Sequence, residues 1–286
     1  MQLITQESIT DLAAERWGTA HNPRLAQIMP ELVRYLHDFV RTVELTEAEW
    51  AAAVRWLRRT GQISDDKREE FILASDVLGL SMLLVEMNHP PHGGATPATV
   101  LGPFHVDGSP DLAFGADMSD GVPGTPLFIV GRICDTDGAV VPGAMLDVWQ
   151  ADANGAYEAQ LDVDEARLRG KYTSTSDGAY CVRTIIPVGY SIPMDGPVGE
   201  LMLGTDISPF RPAHVHFLID AAGYQPLITH LFSRGAPYLD SDAVFGTKPE
   251  LVVEFAHREP GPTPDGGTSE VPWRLAHFDF VLQPRD

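Results

Sequence analysis

Apolar side chains recur along the first part of the chain with the spacing of a helix. Between residues 22 and 43 an apolar residue comes at every third or fourth position, which places these side chains on one helix face. Asn22 and Pro23 are typical of the residue before a helix and of its first residue. The pattern therefore predicts a long amphipathic helix that begins at Pro23.

Two further helix starts follow in the same region. Thr46 and Glu49 have the spacing of a capping box, in which each side chain bonds the backbone N–H of the other residue. Residues 64–66, Ser-Asp-Asp, place a capping hydroxyl and acidic side chains ahead of a third apolar run. We therefore predict that residues 1–88 form an all-helical segment.

The periodicity changes beyond residue 88. A connection rich in proline and glycine spans residues 89–110, and apolar, β-branched runs of strand length then continue to the C-terminus. Turn-forming pairs separate several of these runs, at Asp137-Gly138, Asn154-Gly155 and Asp177-Gly178. No segment between the runs is long enough for a helical crossover, so antiparallel sheets are expected. We predict an α+β fold, with a mainly antiparallel β-sandwich domain at 89–286 preceded by the N-terminal all-helical segment at 1–88.

The composition limits the classes of partner. Of the 286 residues 44% are hydrophobic, which is ordinary for a globular protein with a large core. The 40 acidic residues against 20 basic ones give a formal charge of −20, so the surface field repels nucleic acid and anionic membranes. The N-terminus lacks the basic and apolar regions of a secretion signal, and no apolar run approaches about 18 residues. We expect a cytoplasmic protein that binds neither nucleic acid nor membranes.

Two histidines in the run RPAHVHF, residues 211–217, raise the question of a metal site. His214 and His216 lie two residues apart, so on a strand their side chains share one face and can bind one ion. An ordinary strand with one buried and one edge histidine has the same pattern, and further ligands are needed to decide. Asp220 would complete a ferrous site of the cupin type, although it equally fits the start of a turn.

Tyrosine offers a different set of ligands. Tyr157 follows the Asn154-Gly155 turn, and Tyr190 ends the run IIPVGY, where a strand becomes irregular. A phenol has a pKa near ~10, so it binds as phenolate only to a strong Lewis acid such as ferric iron.

A third interpretation needs no metal: a non-catalytic β-sandwich module that binds a carbohydrate or a protein partner.

Long motifs between residues 75 and 232 resemble those of a known family. They include both tyrosine segments and the histidine run: SDVLGLSML at 75–83, LGPFHVDGSP at 101–110, GRICDTDGAVVPGAMLDVWQADANGAY at 131–157, LRGKY at 168–172, RTIIPVGYSIP at 183–193 and RPAHVHFLIDAAGYQPLITHLF at 211–232. In these motifs the chain resembles the intradiol ring-cleaving dioxygenases, non-haem iron enzymes that open catechols between two adjacent hydroxyl groups. The resemblance implies an enzyme that uses O2 on a small aromatic diol or triol, with residues 89–286 as its catalytic domain.

The resemblance also implies roles for single residues. Fe(III) would be bound by Tyr157, Tyr190, His214 and His216. Arg211 would be the active-site arginine, and Tyr190 would in addition accept a proton from the substrate. The N-terminal helices resemble the dimerisation segment of the family, which implies a homodimer and leaves room for a phospholipid between the subunits.

Within the family, the chain resembles the members that act on hydroxyquinol, benzene-1,2,4-triol. Catechol-cleaving relatives usually carry Gln at the position of His230 and commonly Gly-Cys-Pro at 191–193, where this chain has Ser-Ile-Pro. Catechol and substituted catechols are the alternative substrates. By resemblance, the substrate pocket is lined by Leu73, Asp76, Leu101, Gly102, Pro103, Phe104, Ile192, Pro193, Arg211 and His230.

Overall fold

The computed structural model describes residues 4–65, 68–90, 92–161 and 166–285, and the chain divides into two compact units, Met1–Arg59 and Thr60–Asp286. The first unit holds α1 (Ile9–Gly18), α2 (Pro23–Thr42) and most of α3 (Glu47–Ile63). The second unit holds α4 (Glu70–Val77), α5 (Leu80–Asn88) and α6 (Pro197–Leu203), together with the described strands. The last helix of the N-terminal run ends at Asn88, as predicted, and the domain division at that residue stays a prediction.

The predicted starts of α2 and α3 are confirmed. Asn22 Oδ1 accepts hydrogen bonds from the backbone N–H groups of Arg24 and Leu25, at 2.9 and 3.2 Å. At α3, the Glu49 N–H donates to Thr46 Oγ1 at 3.3 Å, and the Thr46 N–H donates to Glu49 Oε2 at 2.9 Å. Both caps satisfy backbone donors that the first turn of a helix leaves unpaired.

The predicted start of the third helix is wrong. Asp66 lies outside the described residues, and the Ser64 hydroxyl donates to the Thr60 carbonyl at the end of α3. The next helix, α4, begins at Glu70, and Gly79, with a φ of 73°, separates it from α5. Glycine adopts this left-handed conformation without a steric penalty. The apolar run therefore forms two short helices.

The strands of the second unit form two large sheets and two short pairs. Sheet 1 contains β1 (Pro126–Asp135), β4 (Ala179–Ile185), β10 (Ala256–Arg258), β13 (Trp273–His277) and β14 (Phe280–Leu282). Sheet 2 has the order β3 (Arg169–Thr173), β2 (Met145–Trp149), β7 (His214–Asp220), β8 (Leu227–Ser233) and β9 (Val252–Val253). The short pairs are β5 (Tyr190–Ser191) with β6 (Phe210–Arg211) and β11 (Gly261–Pro262) with β12 (Thr268–Ser269).

The two large sheets pack face to face. One continuous cluster of buried apolar side chains includes Ile129 and Val182 from sheet 1 and Val148, Val215 and Leu231 from sheet 2. Burying an aliphatic side chain of this size contributes about 1.5–3 kcal/mol. The predicted β-sandwich is therefore confirmed.

The sheets are mainly antiparallel, as predicted, but they also contain parallel pairs. β1 pairs antiparallel with β4, and β7 pairs antiparallel with β8. β1 also pairs parallel with β13 and β14, and β8 pairs parallel with β9. The prediction of mainly antiparallel sheets is therefore confirmed, and the parallel pairs join strands that are not neighbours in a hairpin: β2–β12 and α6 lie between β1 and β13 along the chain.

Candidate active site

The central strands of sheet 2 have one face in the core and one face in a polar site. On β7, Val215 belongs to the core cluster, so the neighbouring residues His214 and His216 point to the opposite face. The cross-strand partners of His216 are Trp149 on β2 and His230 on β8. The alternation of the strand thus gathers an indole and three imidazoles on the face away from the core.

Three polar atoms converge on this face. His214 Nε2 and His216 Nε2 are 3.1 Å apart. Tyr157 Oη lies 2.9 Å from His216 Nε2 and 3.2 Å from His214 Nε2. All three side chains are buried. The structure therefore brings together three of the four side chains that the resemblance implies as ligands.

The protonation of the two imidazoles fits a metal ion. His214 Nδ1 lies 2.7 Å from the Pro212 carbonyl oxygen, and because a carbonyl only accepts, Nδ1 carries the proton and Nε2 a lone pair. Burial lowers the pKa of His214 to about 3 and holds the pKa of His216 well below its ordinary value, so both rings are neutral. Each Nε2 would offer a lone pair to a metal ion, and the two atoms are close enough together for both to bind the same ion.

Tyr190 approaches the same group from another pair of strands. It begins β5 and pairs with Arg211 on β6. Its ring centroid lies 5.2 Å from that of Tyr157 and 5.7 Å from that of His214. Gly155, with a φ of 85°, packs directly against it, since a Cβ at Gly155 would lie 2.7 Å from the Tyr190 Cβ. The predicted turn at Gly155 therefore helps to position the second tyrosine.

Burial governs the protonation of both tyrosines. It raises the pKa of Tyr157 well above the ordinary value. It also raises the pKa of Tyr190, although the charge of Arg211 and a hydrogen bond with Tyr157 act in the opposite direction. At neutral pH, each phenol therefore ionises only when a strong cation compensates for the burial. Ferric iron is a cation of this strength, so the tyrosines fit the same metal as the histidines.

Arg211 is buried next to Tyr190 and is held by Asp242. Arg211 Nε donates to Asp242 Oδ1 at 3.0 Å, and Nη2 donates to Oδ2 at 3.3 Å. Asp242 also accepts from the backbone N–H groups of Val244 and Gly246. Burial disfavours both charges, but their attraction leaves the pKa of Arg211 raised and the pKa of Asp242 lowered. The pair stays charged, and the guanidinium is fixed in one orientation.

His230 lies behind His216, on the side away from Tyr157. His230 Nε2 is 2.7 Å from His216 Nδ1, and His230 Nδ1 is 2.7 Å from Thr99 Oγ1. The imidazoles of His214, His216 and His230 are close enough together to hold one metal by distance alone. However, the His216 nitrogen that faces His230 is not the nitrogen that faces His214. We therefore assign His230 to the support of His216 and not to a ligand set of three histidines.

A cavity of about 580 Å³ lies beside the converging side chains. Gly102 lies at the boundary, since a Cβ there would be 3.4 Å from His216 Cε1. The lining comes from α4 and the residue before it, from α5 and from the connection before β1: Glu69, Ile72, Asp76, Ser81, Val85, Val100, Leu101, Gly102, Pro103 and His105. Four of the predicted substrate-pocket residues therefore line one cavity, namely Asp76, Leu101, Gly102 and Pro103.

Asp76 is a buried carboxyl without a hydrogen-bond partner. It is 1% exposed, and neither carboxyl oxygen has a partner among the described residues. The Ser81 hydroxyl lies close enough to lower the pKa of Asp76, but it donates to Ser75 at 2.8 Å. Burial is the larger effect and raises this pKa to about 6. Because an unpaired buried carboxyl is costly, the cavity is suited to a ligand that donates a hydrogen bond to Asp76.

A buried ion pair connects α4 to α6. Glu70, the first residue of α4, is fully buried, and its Oε1 accepts from the Val198 N–H in the first turn of α6 at 3.0 Å. Arg68 Nη2 donates to Glu70 Oε2 at 3.0 Å and to Asp195 Oδ1 at 2.8 Å. Asp195 lies shortly after residues 192–193, which are predicted to line the pocket. The network therefore holds the helix that carries Asp76 against the segment that follows Tyr190.

The other predicted pocket residues do not line this cavity. Phe104 stacks on Tyr157, with ring centroids 4.7 Å apart. The rest are buried or partly buried elsewhere in the second unit: Leu73, Ile192, Pro193, Arg211 and His230. Their contact with a substrate stays a prediction.

The cupin interpretation is wrong. Asp220 ends β7, its side chain is 51% exposed, and its Oδ1 lies 3.9 Å from Arg285 Nη2. A carboxylate that faces solvent and pairs with a surface arginine does not complete a site around buried histidines.

Sequence reasoning missed two residues that contact the predicted ones, Asp242 and Thr99. Asp242 lies 31 positions from Arg211 and Thr99 lies 131 positions from His230 along the chain. Asp242 belongs to the segment PYLDSDAVFG, where neither of the two acidic residues shows from the sequence that it is buried. Thr99 belongs to a connection rich in proline and glycine, where a threonine is expected to be exposed.

Comparisons with known proteins agree on one class of enzyme. The family model described as "Dioxygenase" matches residues 101–284, and the model described as "Catechol dioxygenase N terminus" matches residues 22–96. A 6-chlorohydroxyquinol 1,2-dioxygenase from Cupriavidus pinatubonensis is 48% identical over 285 residues, which cover 99% of this chain and 99% of that protein.

Solved structures give the same result. Hydroxyquinol 1,2-dioxygenase from Pseudomonas putida superimposes with a TM-score of 0.89 at 46% identity, over 98% of this chain and 99% of that chain. Catechol 1,2-dioxygenase from Acinetobacter superimposes with a TM-score of 0.85 at 28% identity, over 100% of this chain and 95% of that chain. The fold is shared with both, and the sequence is more similar to the first.

Proposed function

Because this chain belongs to the intradiol dioxygenase family, we propose that it cleaves the ring of hydroxyquinol, benzene-1,2,4-triol. The enzyme inserts O2 between the two adjacent carbons that bear hydroxyl groups and forms 3-hydroxy-cis,cis-muconate, which is equivalent to maleylacetate. The hydroxyquinol-type relatives at 46–48% identity support this substrate. The reaction belongs to the degradation of aromatic compounds.

The observation that carries the proposal is the convergence of Tyr157, His214 and His216. Their oxygen and two nitrogens lie within 3.2 Å of one another in a buried position. Three donor atoms from two separate segments of the chain that meet at one point are typical of a metal site. A binding module without a metal would gain nothing from this arrangement.

Iron is the metal that the family implies, and we propose Fe(III) bound by Tyr157, Tyr190, His214 and His216. When bound, ferric iron supplies the Lewis acidity that turns phenols into phenolates and prepares the diol for reaction with O2. The neutral imidazoles and the buried phenols of this chain provide donors of the required kind. Phe104, stacked on Tyr157, shields the phenol from water.

Arg211 and the iron ligand Tyr190 act on the substrate. Arg211 carries a permanent charge in an orientation fixed by Asp242, so it stabilises negative charge that develops on the ring or its oxygens. Tyr190 Oη interacts with both Arg211 and Tyr157, and it accepts the proton of one substrate hydroxyl. The neighbouring guanidinium favours the ionised form of Tyr190 before this transfer.

The carboxyl of Asp76 favours hydroxyquinol over catechol as the substrate. The third hydroxyl of the triol can donate to the unpaired carboxyl in the cavity, whereas catechol has no hydroxyl at that position. Leaving a buried carboxyl without a donor costs about 1–3 kcal/mol, which corresponds to roughly 10- to 100-fold in specificity. Catechol and substituted catechols remain the alternative substrates, since the catechol-cleaving enzyme from Acinetobacter shares the fold.

We also propose that the protein is a homodimer assembled through its N-terminal helices, with room for a phospholipid between the subunits. The helix α2 carries large apolar side chains that are about half exposed in the single chain, among them Leu32, Leu36 and Phe39. Exposed apolar surface of this extent usually marks an interface.

Within the described ranges, no helix combines the length and the apolar composition needed to cross a bilayer. A cytoplasmic location stays a prediction.

The test combines metal analysis with substrate kinetics. We expect the purified protein to contain stoichiometric iron and to absorb visible light through charge transfer from tyrosinate to the ferric ion. We expect O2 uptake with benzene-1,2,4-triol to exceed that with catechol by at least about 10-fold in kcat/KM. Full iron content without visible absorption would contradict the ligand set. A preference for catechol would contradict the substrate while leaving the family assignment intact.

A further inference from the structure

A chain of hydrogen bonds runs from His216 through His230 to Thr99, away from Tyr157 and His214. The two links, His216 Nδ1 to His230 Nε2 and His230 Nδ1 to Thr99 Oγ1, are each 2.7 Å long. All members are buried, with His230 at 0% and Thr99 at 2% exposure. No water is needed to complete either link.

The two ligand histidines differ in how their protons are fixed. At His214 the Pro212 carbonyl can only accept, so this backbone group alone keeps the proton on Nδ1. At His216 the neighbour of Nδ1 is the Nε2 of another imidazole, which donates in one tautomer and accepts in the other. The position of the proton on His216 therefore depends on the tautomer of His230, and that tautomer depends on Thr99.

The hydrogen bonds that link Thr99, His230 and His216 can run in only two directions. If Thr99 accepts from His230 Nδ1, then His230 Nε2 accepts from His216 Nδ1, and His216 Nε2 keeps a lone pair. If Thr99 donates to His230 Nδ1, then His230 Nε2 donates to His216 Nδ1, and the proton of His216 lies on Nε2. Only the first direction presents an Nε2 that can bind a metal.

We propose that Thr99 is a positioning residue that acts through His230 to hold His216 in the tautomer that binds iron. The proposal rests on the iron site of the proposed function. When His216 Nε2 binds iron, the hydroxyl of Thr99 accepts the Nδ1–H of His230 and so satisfies the proton that the first direction places on this buried nitrogen. Its place is set by the backbone, because the Thr99 N–H donates to the Ile228 carbonyl on β8 at 2.8 Å.

The chain offers a matched control in Thr229, the residue before His230. Thr229 is fully buried, and its hydroxyl donates to the Pro97 carbonyl at 2.8 Å, so it joins the same connection to β8. It takes no part in the bonds of His230. Thr229→Val therefore removes an equally buried hydroxyl from the contact between β8 and this connection. It leaves the hydrogen bonds of His230 unchanged.

The experiment measures iron affinity by competition with a chelator for the full-length protein and for Thr99→Val, Thr99→Ser and Thr229→Val. We expect Thr99→Val to weaken iron binding by roughly 10- to 100-fold, the usual effect of removing such a partner. Thr99→Ser keeps the hydroxyl and should stay within about 3-fold of the parent, as should Thr229→Val.

Nitrogen NMR of protein labelled with ¹⁵N-histidine reads the tautomers directly. Gallium(III) replaces iron as a diamagnetic trivalent ion. In the parent protein loaded with gallium, we expect His216 and His230 to carry their protons on Nδ1. In Thr99→Val, we expect a substantial share of the other tautomer in His230.

Three results would overturn the proposal: unchanged iron affinity in Thr99→Val, an equal loss in Thr229→Val, or an equal loss in Thr99→Ser. An equal loss in Thr229→Val would show that the contact with β8 matters and that the tautomer does not. A parent protein that binds no iron would instead refute the proposed function, and this inference with it.

Discussion

At the scale of single residues, Asp76 links stability to substrate choice. Burial raises its pKa from 3.8 to about 6. Because the folded protein holds this proton more tightly than the unfolded chain, the contribution of Asp76 to stability is fully present below about pH 4 and is lost as the pH rises through about 6. At neutral pH the ionised carboxyl therefore lowers the free energy of unfolding by on the order of 3 kcal/mol.

We predict that Asp76→Asn is more stable than the parent above pH 6, by up to about 3 kcal/mol, and that the difference disappears toward pH 4. We expect the same change to lower kcat/KM for benzene-1,2,4-triol by roughly 10- to 100-fold and to affect catechol less. Urea unfolding across this pH range and O2 uptake with both substrates measure the two effects. The exposed Asp220→Asn serves as control. A stability difference independent of pH, or an equal loss with both substrates, would argue against this role.

The sequence alone predicts the position and role of some site residues but not of others. The shared face of His214 and His216 follows from the alternation of a strand, which involves no other part of the chain. The roles of Tyr157 and Tyr190 depend on the resemblance, because a tyrosine in a loop is more often a packing residue. Asp242 is identified only by the folded structure, since its ion pair with Arg211 joins separate segments.

At the scale of elements, the position of α4 relative to α6 shapes the cavity. Glu70 binds the first turn of α6 through Val198 and the side chain of Arg68, while Arg68 also binds Asp195. The two carboxylates share one arginine, but the Glu70 side chain is fully buried and the Asp195 side chain is 73% exposed. Removing the charge of the buried partner is therefore expected to cost more than removing the charge of the exposed one.

We predict that Glu70→Gln lowers the free energy of unfolding by about 1.5–3 kcal/mol, since the bond to Arg68 loses its charge. The KM for the triol should rise more than kcat falls, because Asp76 shifts on α4 while the candidate iron ligands do not. Asp195→Asn is the matched control and should change stability by less than about 1 kcal/mol. Stopped-flow kinetics and chemical unfolding provide the measurements. Equal effects of the two substitutions would show that burial of Glu70 is unimportant.

Local signals predict some elements and not others. The caps at Asn22 and Thr46 lie within three residues of the groups they bind, so the starts of α2 and α3 can be read from the sequence. The parallel pairing of β1 with β13 and β14 joins segments more than 100 positions apart, and nothing in either segment specifies it. The short helix α6 begins at a Gly-Pro pair that reads equally well as a turn.

At the scale of the whole molecule, the sandwich folds without depending on the metal. The core between the sheets uses Val148, Val215 and Leu231 on one face of sheet 2, and the candidate ligands occupy the other face or adjacent segments. The core is therefore expected to remain packed when no metal is bound to the candidate ligands. Iron adds stability only through its preference for the folded state.

We predict that removing iron with a chelator abolishes activity and leaves the far-ultraviolet circular dichroism unchanged. The thermal midpoint should fall by several degrees, as expected for the loss of a ligand that contributes a few kcal/mol, and should recover when ferric iron is added. Calorimetry of the iron-free and the reloaded protein provides the measurement. Loss of the β-sheet spectrum on chelation would contradict this prediction.

The location of Asp76 on a helix, apart from the strands that carry the imidazoles, has a practical consequence for enzyme engineering. Mutant libraries confined to α4, α5 and residues 100–105 would sample new substrate ranges while every candidate iron ligand stays unchanged. Stable starting clones are available within the same region, because neutralising Asp76 removes a cost to folding. Directed evolution toward chlorinated or alkylated rings should therefore begin at these cavity positions.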